Sequence, residues 1–183
     1  MTERPSDRLI RRGRCHVFGD DVTLDDGVIP ARFAAQRVTD PTLLTPHLFE
    51  TVDPTFADRA RPGDIVLAGR NFAGGKPRLQ GLIAMAALDL SIVCTSIPFK
   101  ILRRTVARAL PVIVGAPDPT GFAATGDDLE IDFSSGSVWN LTRDVKLAIP
   151  PMPAILADMV AAGGMEASLR DWLRRHPAQA LQP

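Results

Sequence analysis

The sequence predicts an α/β fold, and three observations carry that reading. Ile65-Val66-Leu67-Ala68 is a continuous apolar run, as in a strand buried on both faces, Ser91-Ile92-Val93-Cys94 reads as another buried strand and Leu110-Pro111-Val112-Ile113-Val114 as a third. Helically spaced segments separate them, which is the grammar of a parallel βαβ layer. Downstream, apolar and polar residues alternate on either side of Ser134-Ser135-Gly136, the pattern of an antiparallel hairpin.

The composition suits one domain with a full core. Of 183 residues, 45% are hydrophobic and 23% charged. Lys+Arg and Asp+Glu both number 21, so no long-range positive field exists to recruit nucleic acid or an anionic membrane. No run of about eighteen apolar residues occurs to span a bilayer. The first 14 residues are Arg-rich but contain Glu3 and Asp7 and no apolar stretch, which argues against a secretory signal or transit peptide. Residues 1–13 read as an arm, 14–175 as the domain and 176–183 as a tail, with the cytoplasm as the default compartment. Cys15 and Cys94 lie far apart and outside any CxxC spacing. Two reduced, buried thiols are expected, rather than a disulfide or zinc site.

In chain order, Arg14-Cys15-His16-Val17-Phe18 reads as the first strand, followed by an acidic turn and loop over 19–27. Residues 28–33 continue as loop, because Pro30 denies a central strand its donor. Short helices are expected near 42–49 and 54–59. After the strand at 65–68 come a loop over 69–77 and a helix over 78–88, whose Leu79, Leu82, Ile83 and Ala86 share a face. The strand at 91–94 leads to a helix over 98–109, with Pro98 suited to its first position. A strand over 110–114 precedes the hairpin, built from 128–133 and 137–142. Two helices close the chain, over 153–162 and 165–175, broken at Gly163-Gly164.

Three segments carry residues suited to chemistry. In Gly69-Arg70-Asn71-Phe72-Ala73-Gly74-Gly75-Lys76-Pro77-Arg78, a glycine-bearing turn leaves a buried strand for a helix start. That is a generic anion cradle to which Lys76 and Arg78 add charge, although such a turn is more often only a turn. The P-loop spacing is absent. Lys100, Arg104 and Arg108 share one helix face with Arg103 beside it, either as a solvated face or as a surface for an anionic substrate or acidic partner. Asp25-Asp26-Gly27-Val28-Ile29-Pro30-Ala31-Arg32 sets two acids beside a proline turn, where capping and solvation are the ordinary roles. His16, His47 and His176 are isolated in sequence, so metal coordination by this chain is not expected.

Four ordered stretches resemble the small subunit of 3-isopropylmalate dehydratase, homologous to the swivelling domain of aconitase. They are Gly19-Asp20-Asp21 with Asp26 to Phe33, Arg61 to Phe72, Leu110-Pro111-Val112, and Gly126 to Asp132 with Asn140-Leu141-Thr142 and Ala161-Ala162-Gly163-Gly164. The resemblance covers about 14–175. It implies a swivelling β/β/α domain with a C-terminal helical segment, docking on a large subunit that carries a [4Fe–4S] cluster, with no cofactor in this chain. It implies reversible dehydration of a small hydroxylated di- or tricarboxylate, with iron acting on the hydroxyl and a serine taking the α-proton. By position, Asn71, Gly74, Gly75, Arg78, Arg32 and Arg103 would contact substrate, and Asp26 and Lys76 would be catalytic.

The loop departs from the family pattern Asn-Phe-Gly-x-Gly-Ser-Ser-Arg-Glu-His. Lys76-Pro77 replaces the serine pair and Leu79-Gln80 the Glu-His pair, so Lys76 stands where the proton-abstracting serine is expected. It serves as base only if desolvation and neighbouring Arg78 lower its pKa. Ser96-Ile97-Pro98-Phe99 takes the place of Ser-Phe-Ala-Arg, without the arginine. Thr23-Leu24-Asp25-Asp26 does not reproduce Asp-Thr-Asp and is compatible with a one-residue insertion. Three readings stay open: an active hydro-lyase small subunit with altered chemistry, a paralogue that binds the large subunit without catalysis, and a free-standing anion-binding module.

Overall fold

The sheet is organised on β1 (Ile10–Phe18), one strand with two kinds of neighbour in the computed structural model, which describes residues 8–177. Its second half pairs in parallel with β2 (Ile65–Ala68), from Cys15↔Ile65 to Phe18↔Ala68. Its first half pairs antiparallel with residues 128–132, from Ile10↔Asp132 to Arg14↔Asp128. At the changeover the Cys15 N–H donates to the Asp127 carbonyl at 2.9 Å. A Cβ on Gly13 would stand 2.4 Å from the Gly63 carbonyl oxygen, so glycine is needed for this close passage. The strand therefore begins four residues before the expected Arg14, and 10–13 belong to the sheet rather than to an arm. Their arginines are accommodated because alternate residues face outward and Arg11 forms a two-pronged pair with Asp89 at 2.7 Å.

Between β1 and β2 run three short helices, α1 (Ala31–Ala35), α2 (Pro41–Leu44) and α3 (Phe56–Arg59), with a 3-10 turn at Thr45–His47. The expected loop over 28–33 thus ends in helix, because Pro30 stands just before α1 with φ −58°, compatible with helix entry. Next come α4 (Gln80–Ala87), β3 (Ser91–Cys94), α5 (Phe99–Ala107) and β4 (Val112–Val114), with β3 joining β2 and β4 joining β3, both in parallel. Every residue of β2 and β3 is buried, as their apolar runs require. After the brief α6 (Pro119–Phe122), β5 (Asp128–Asp132), β6 (Ser137–Asn140) and β7 (Val145–Ala148) form the antiparallel flank, and α7 (Ala154–Ala161) and α8 (Met165–Arg175) close the described chain. The seven-stranded order is β4-β3-β2-β1-β5-β6-β7. β7 was not expected: it is a short edge strand whose residues are mostly exposed.

The core under β1 and β2 is aromatic, with Phe18 stacked on Phe49 at 4.3 Å and Phe49 edge-on to Phe56 at 4.8 Å. Buried His16 shares a 2.8 Å bond between Nε2 and Asp64, and Asp64 also accepts from the Arg61 N–H at 2.9 Å. Cys15 and Cys94 are free and buried. Burial pushes the Cys15 thiol up to about 11 and the Cys94 thiol to about 12, so both stay protonated and inert.

The flank is held by Asp127. Its Oδ2 accepts from the Ala124 N–H at 3.0 Å, the Asn140 amide at 2.9 Å and Arg143 Nε at 2.6 Å. Burial alone would raise its pKa, but these donors together hold the carboxyl below its ordinary value. No helix among the described residues is long and apolar enough to cross a membrane.

Candidate functional site

The site lies past the C-terminal ends of β1, β2 and β3, where a parallel sheet offers its loops to ligands. Three segments meet there. The loop after β2 is tied to the loop after β1 by Leu24 N–H to the Gly74 carbonyl at 2.8 Å and Ala73 N–H to the Val22 carbonyl at 2.7 Å. It is tied to the segment after β3 by Asn71 N–H to Ser96 Oγ at 2.8 Å and Phe72 N–H to the Ser96 carbonyl at 2.9 Å. Its turn needs left-handed backbone at Asn71, Ala73 and Gly75, with φ of 55°, 56° and 96°. Glycine suits the last at no cost, whereas Ala73 holds its conformation at about 1 kcal/mol. A Cβ on Gly74 would meet the Asn71 side chain at 2.7 Å, so this glycine admits that amide, whose Nδ2 donates to Asp21 at 2.9 Å.

Arg78 and Asp25 form the charged centre. Arg78 Nε donates to Asp25 Oδ2 at 2.8 Å, and both side chains are partly buried. Asp25 Oδ1 is buried without a hydrogen-bond partner, a cost of roughly 1–3 kcal/mol unless a donor arrives. Gly81 permits the approach of the two loops, since a Cβ there would strike Val28 at 2.8 Å and Leu24 at 3.1 Å. Asp25 was not among the expected site residues. The signal was present as two adjacent acids, but only the pairing with Arg78 separates them.

Asp26 has a different place. It adopts φ 64°, is exposed, and its Oδ1 accepts from the Ala31 N–H at 2.8 Å, which satisfies the first donor of α1. Asp26, expected to be catalytic, thus engages the start of α1, and the contact to Arg78 is made by its neighbour Asp25. Arg78 was expected at the start of a helix, yet α4 begins at Gln80, because Pro77 and the Arg78 N–H to Lys76 carbonyl bond at 2.8 Å keep the chain in a turn. Arg103 does not reach the loop: it lies 5.9 Å over the Phe99 ring, whereas its neighbour Arg104 donates to the Pro77 carbonyl. Arg32 pairs with Glu50 at 2.8 Å and contacts His47 at 3.3 Å.

Lys76 is exposed at the tip of the turn, so the desolvation that would make it a base is not supplied by this chain. Phe99, in the position of the arginine missing from the Ser-Phe-Ala-Arg pattern, is 70% exposed. Gly75 is also exposed, with open space around its Cα. Among the described residues no group of three or more His, Cys, Asp or Glu side chains could hold a metal ion.

A parallel layer presenting a glycine-rich strand-to-helix loop, with an antiparallel flank on the shared strand, defines an α/β domain of the aconitase swivel type. No family model matches the chain. It is 35% identical over 158 residues to the 3-isopropylmalate dehydratase small subunit of Moorella thermoacetica, covering 86% of this chain and 93% of that one. It is 33% identical over 154 residues to the small subunit from Thermodesulfovibrio yellowstonii, covering 84% and 90%. The crystal structure of 3-isopropylmalate dehydratase (LeuD) from Methanocaldococcus jannaschii superposes with a TM-score of 0.82 at 28% identity, covering 94% of this chain and 98% of that one. The chain belongs to the 3-isopropylmalate dehydratase small-subunit family.

Proposed function

We propose that this chain is the small subunit of a heteromeric hydro-lyase that removes water from a small hydroxylated di- or tricarboxylate and adds it back. The observation that carries this reading is Arg78, seated between a glycine turn and Asp25. Only its Nε is engaged by Asp25, and its two terminal nitrogens suit a bidentate bond to a substrate carboxylate. Asp25 orients Arg78 through that Nε bond. Asn71, Gly74 and Gly75 shape the floor of the cradle. Arg32, Arg103 and Asp26 make contacts elsewhere, with Glu50, the Phe99 ring and the Ala31 N–H.

The large subunit is the partner and carries the [4Fe–4S] cluster. This chain's thiols do not fit that group: Cys15 and Cys94 are buried in separate strands, with raised pKa values. Reduced buried thiols also suit the cytoplasm. Lys76 takes the base position once the large subunit covers the loop and supplies the missing burial.

A second reading is favoured by the exposure of Lys76 and Phe99: a paralogue that docks on the large subunit without chemistry. Reconstitution with the cluster-loaded large subunit separates the two. Turnover of isopropylmalate or citramalate is expected, and a Lys76→Ala variant is expected to lose most of it. Full turnover in that variant removes Lys76 from the mechanism. A complex that forms but dehydrates no hydroxyacid supports the paralogue.

A further inference from the structure

We propose that the groove between α5 and the α7–α8 pair is the docking site for an acidic, amphipathic segment of the large subunit, an inference that rests on the small-subunit reading above. The groove consists of two adjoining cavities of about 660 and 370 Å³, which share Arg104, Ala107 and Met165 in their walls. Lys100, Arg103, Arg104 and Arg108 line it against a single carboxylate, Glu166. Lys100 and Arg104, four apart on α5, stand on one face, and Arg108 follows at the residue that ends the helix.

Arg104 donates to the Pro77 carbonyl and Arg103 lies over Phe99, and among the described residues no ion pair engages any of the four. Like charges along one helix face repel each other, so an anionic occupant is favoured there electrostatically. The opposite wall is apolar, formed by Leu156, Met159 and Met165, the last 55% exposed. Methionines adapt to a packed partner, which makes this wall suited to the apolar face of a helix or strand. Nucleic acid fits less well, because no aromatic side chain lines either cavity for base stacking.

The groove opens at Pro77, and Pro77 separates Lys76 from Arg78. A segment seated there ends beside the candidate site and bears on the loop through the Arg104–Pro77 bond. Docking and shaping of the loop are thereby coupled.

The chain has three lysines, Lys76, Lys100 and Lys146, and they make the test direct. A carbodiimide activates Asp or Glu carboxyls and couples them to a nearby Nζ as an amide. Applied to the complex with the cluster-loaded large subunit, it is expected to join Lys100 to one acidic segment. Lys146, on β7 over the Trp139 ring, serves as the control and stays uncoupled. A Lys100→Glu and Arg104→Glu double variant is expected to bind the large subunit at least about tenfold more weakly, with a flatter salt dependence and unchanged thermal unfolding. Met165→Glu, at an exposed position, is expected to weaken binding independently.

Equal binding by wild type and both variants, or coupling at Lys76 alone, overturns the groove and leaves the small-subunit reading standing. A wild-type chain that does not bind the large subunit overturns both. Self-association, or RNA binding abolished by the double variant while large-subunit binding persists, assigns the groove to another occupant and overturns the proposal.

Discussion

Asp127 and Asp25 each hold an arginine through its Nε, at 2.6 and 2.8 Å, but they sit in opposite circumstances. Asp127 closes a knot in the antiparallel flank, where a backbone N–H, an amide and a guanidinium all reach one carboxylate oxygen. Asp25 lies at the loop edge of the parallel half, with one donor and a second oxygen that is buried and unpartnered. A saturated carboxylate fastens its surroundings together. A half-satisfied one leaves capacity for something that arrives later, and incomplete satisfaction of this kind marks sites of function more often than sites of stability.

That contrast can be broken experimentally. The largest effect is expected from Arg78→Ala, with about a hundredfold loss of kcat/KM in the reconstituted enzyme, equivalent to about 2.7 kcal/mol. Urea unfolding of the chain alone should show a smaller loss, about 1 kcal/mol, because Asp25 loses its donor. Asp127→Asn is expected to reverse this pattern and lower unfolding stability by about 2 kcal/mol at pH 7. The Asp127 carboxyl has its folded pKa below the unfolded value of about 4. Its stabilisation is therefore complete above that value and lost as pH falls through the folded pKa. Unfolding curves at pH 7 and about pH 3 should show a shallower acid loss in Asp127→Asn than in the wild type.

Asp25→Ala is intermediate. Removal of one ion pair also removes an orphaned acceptor, so stability should shift by under about 1 kcal/mol, while kcat/KM falls about tenfold as Arg78 loses its hold. A stability loss matching that of Asp127→Asn would erase the distinction. Asp26→Ala is expected to have the smallest effect, about 1 kcal/mol of stability from the lost bond to α1 and no change in turnover. A collapse of turnover in Asp26→Ala with Asp25→Ala unaffected would reverse the assignment of the two acids.

Much of the scaffold is legible in the sequence. β2 and β3 match the expected strands residue for residue, because burial on both faces favours apolar side chains, with Ser91 the one polar residue among them. The first half of β1 is concealed by its arginines, which face outward or pair across the structure with Asp89. β7 is concealed by its exposed edge position. The loop around Lys76 is legible as a cradle, but its charged partners are not. Asp25 is set apart from Asp26, and Arg104 from Arg103, by contacts with Arg78 and Pro77, distant in the chain, whereas Asp26 and Arg103 make local ones. One-residue choices of this kind are made by tertiary packing, and no local pattern announces them.

The double allegiance of β1 also has a consequence for how the chain is made. The strand is synthesised well before its antiparallel partner, Asp128–Asp132. At roughly 5–20 residues per second, the wait is on the order of ten seconds. During that interval β1 can zip onto β2, while Ile10 to Arg14 remain an open edge. The arginines at 11, 12 and 14 place like charges on that edge, and such charges discourage pairing with a second nascent chain. Residues that disguise the strand in the sequence thus guard it until its own flank arrives.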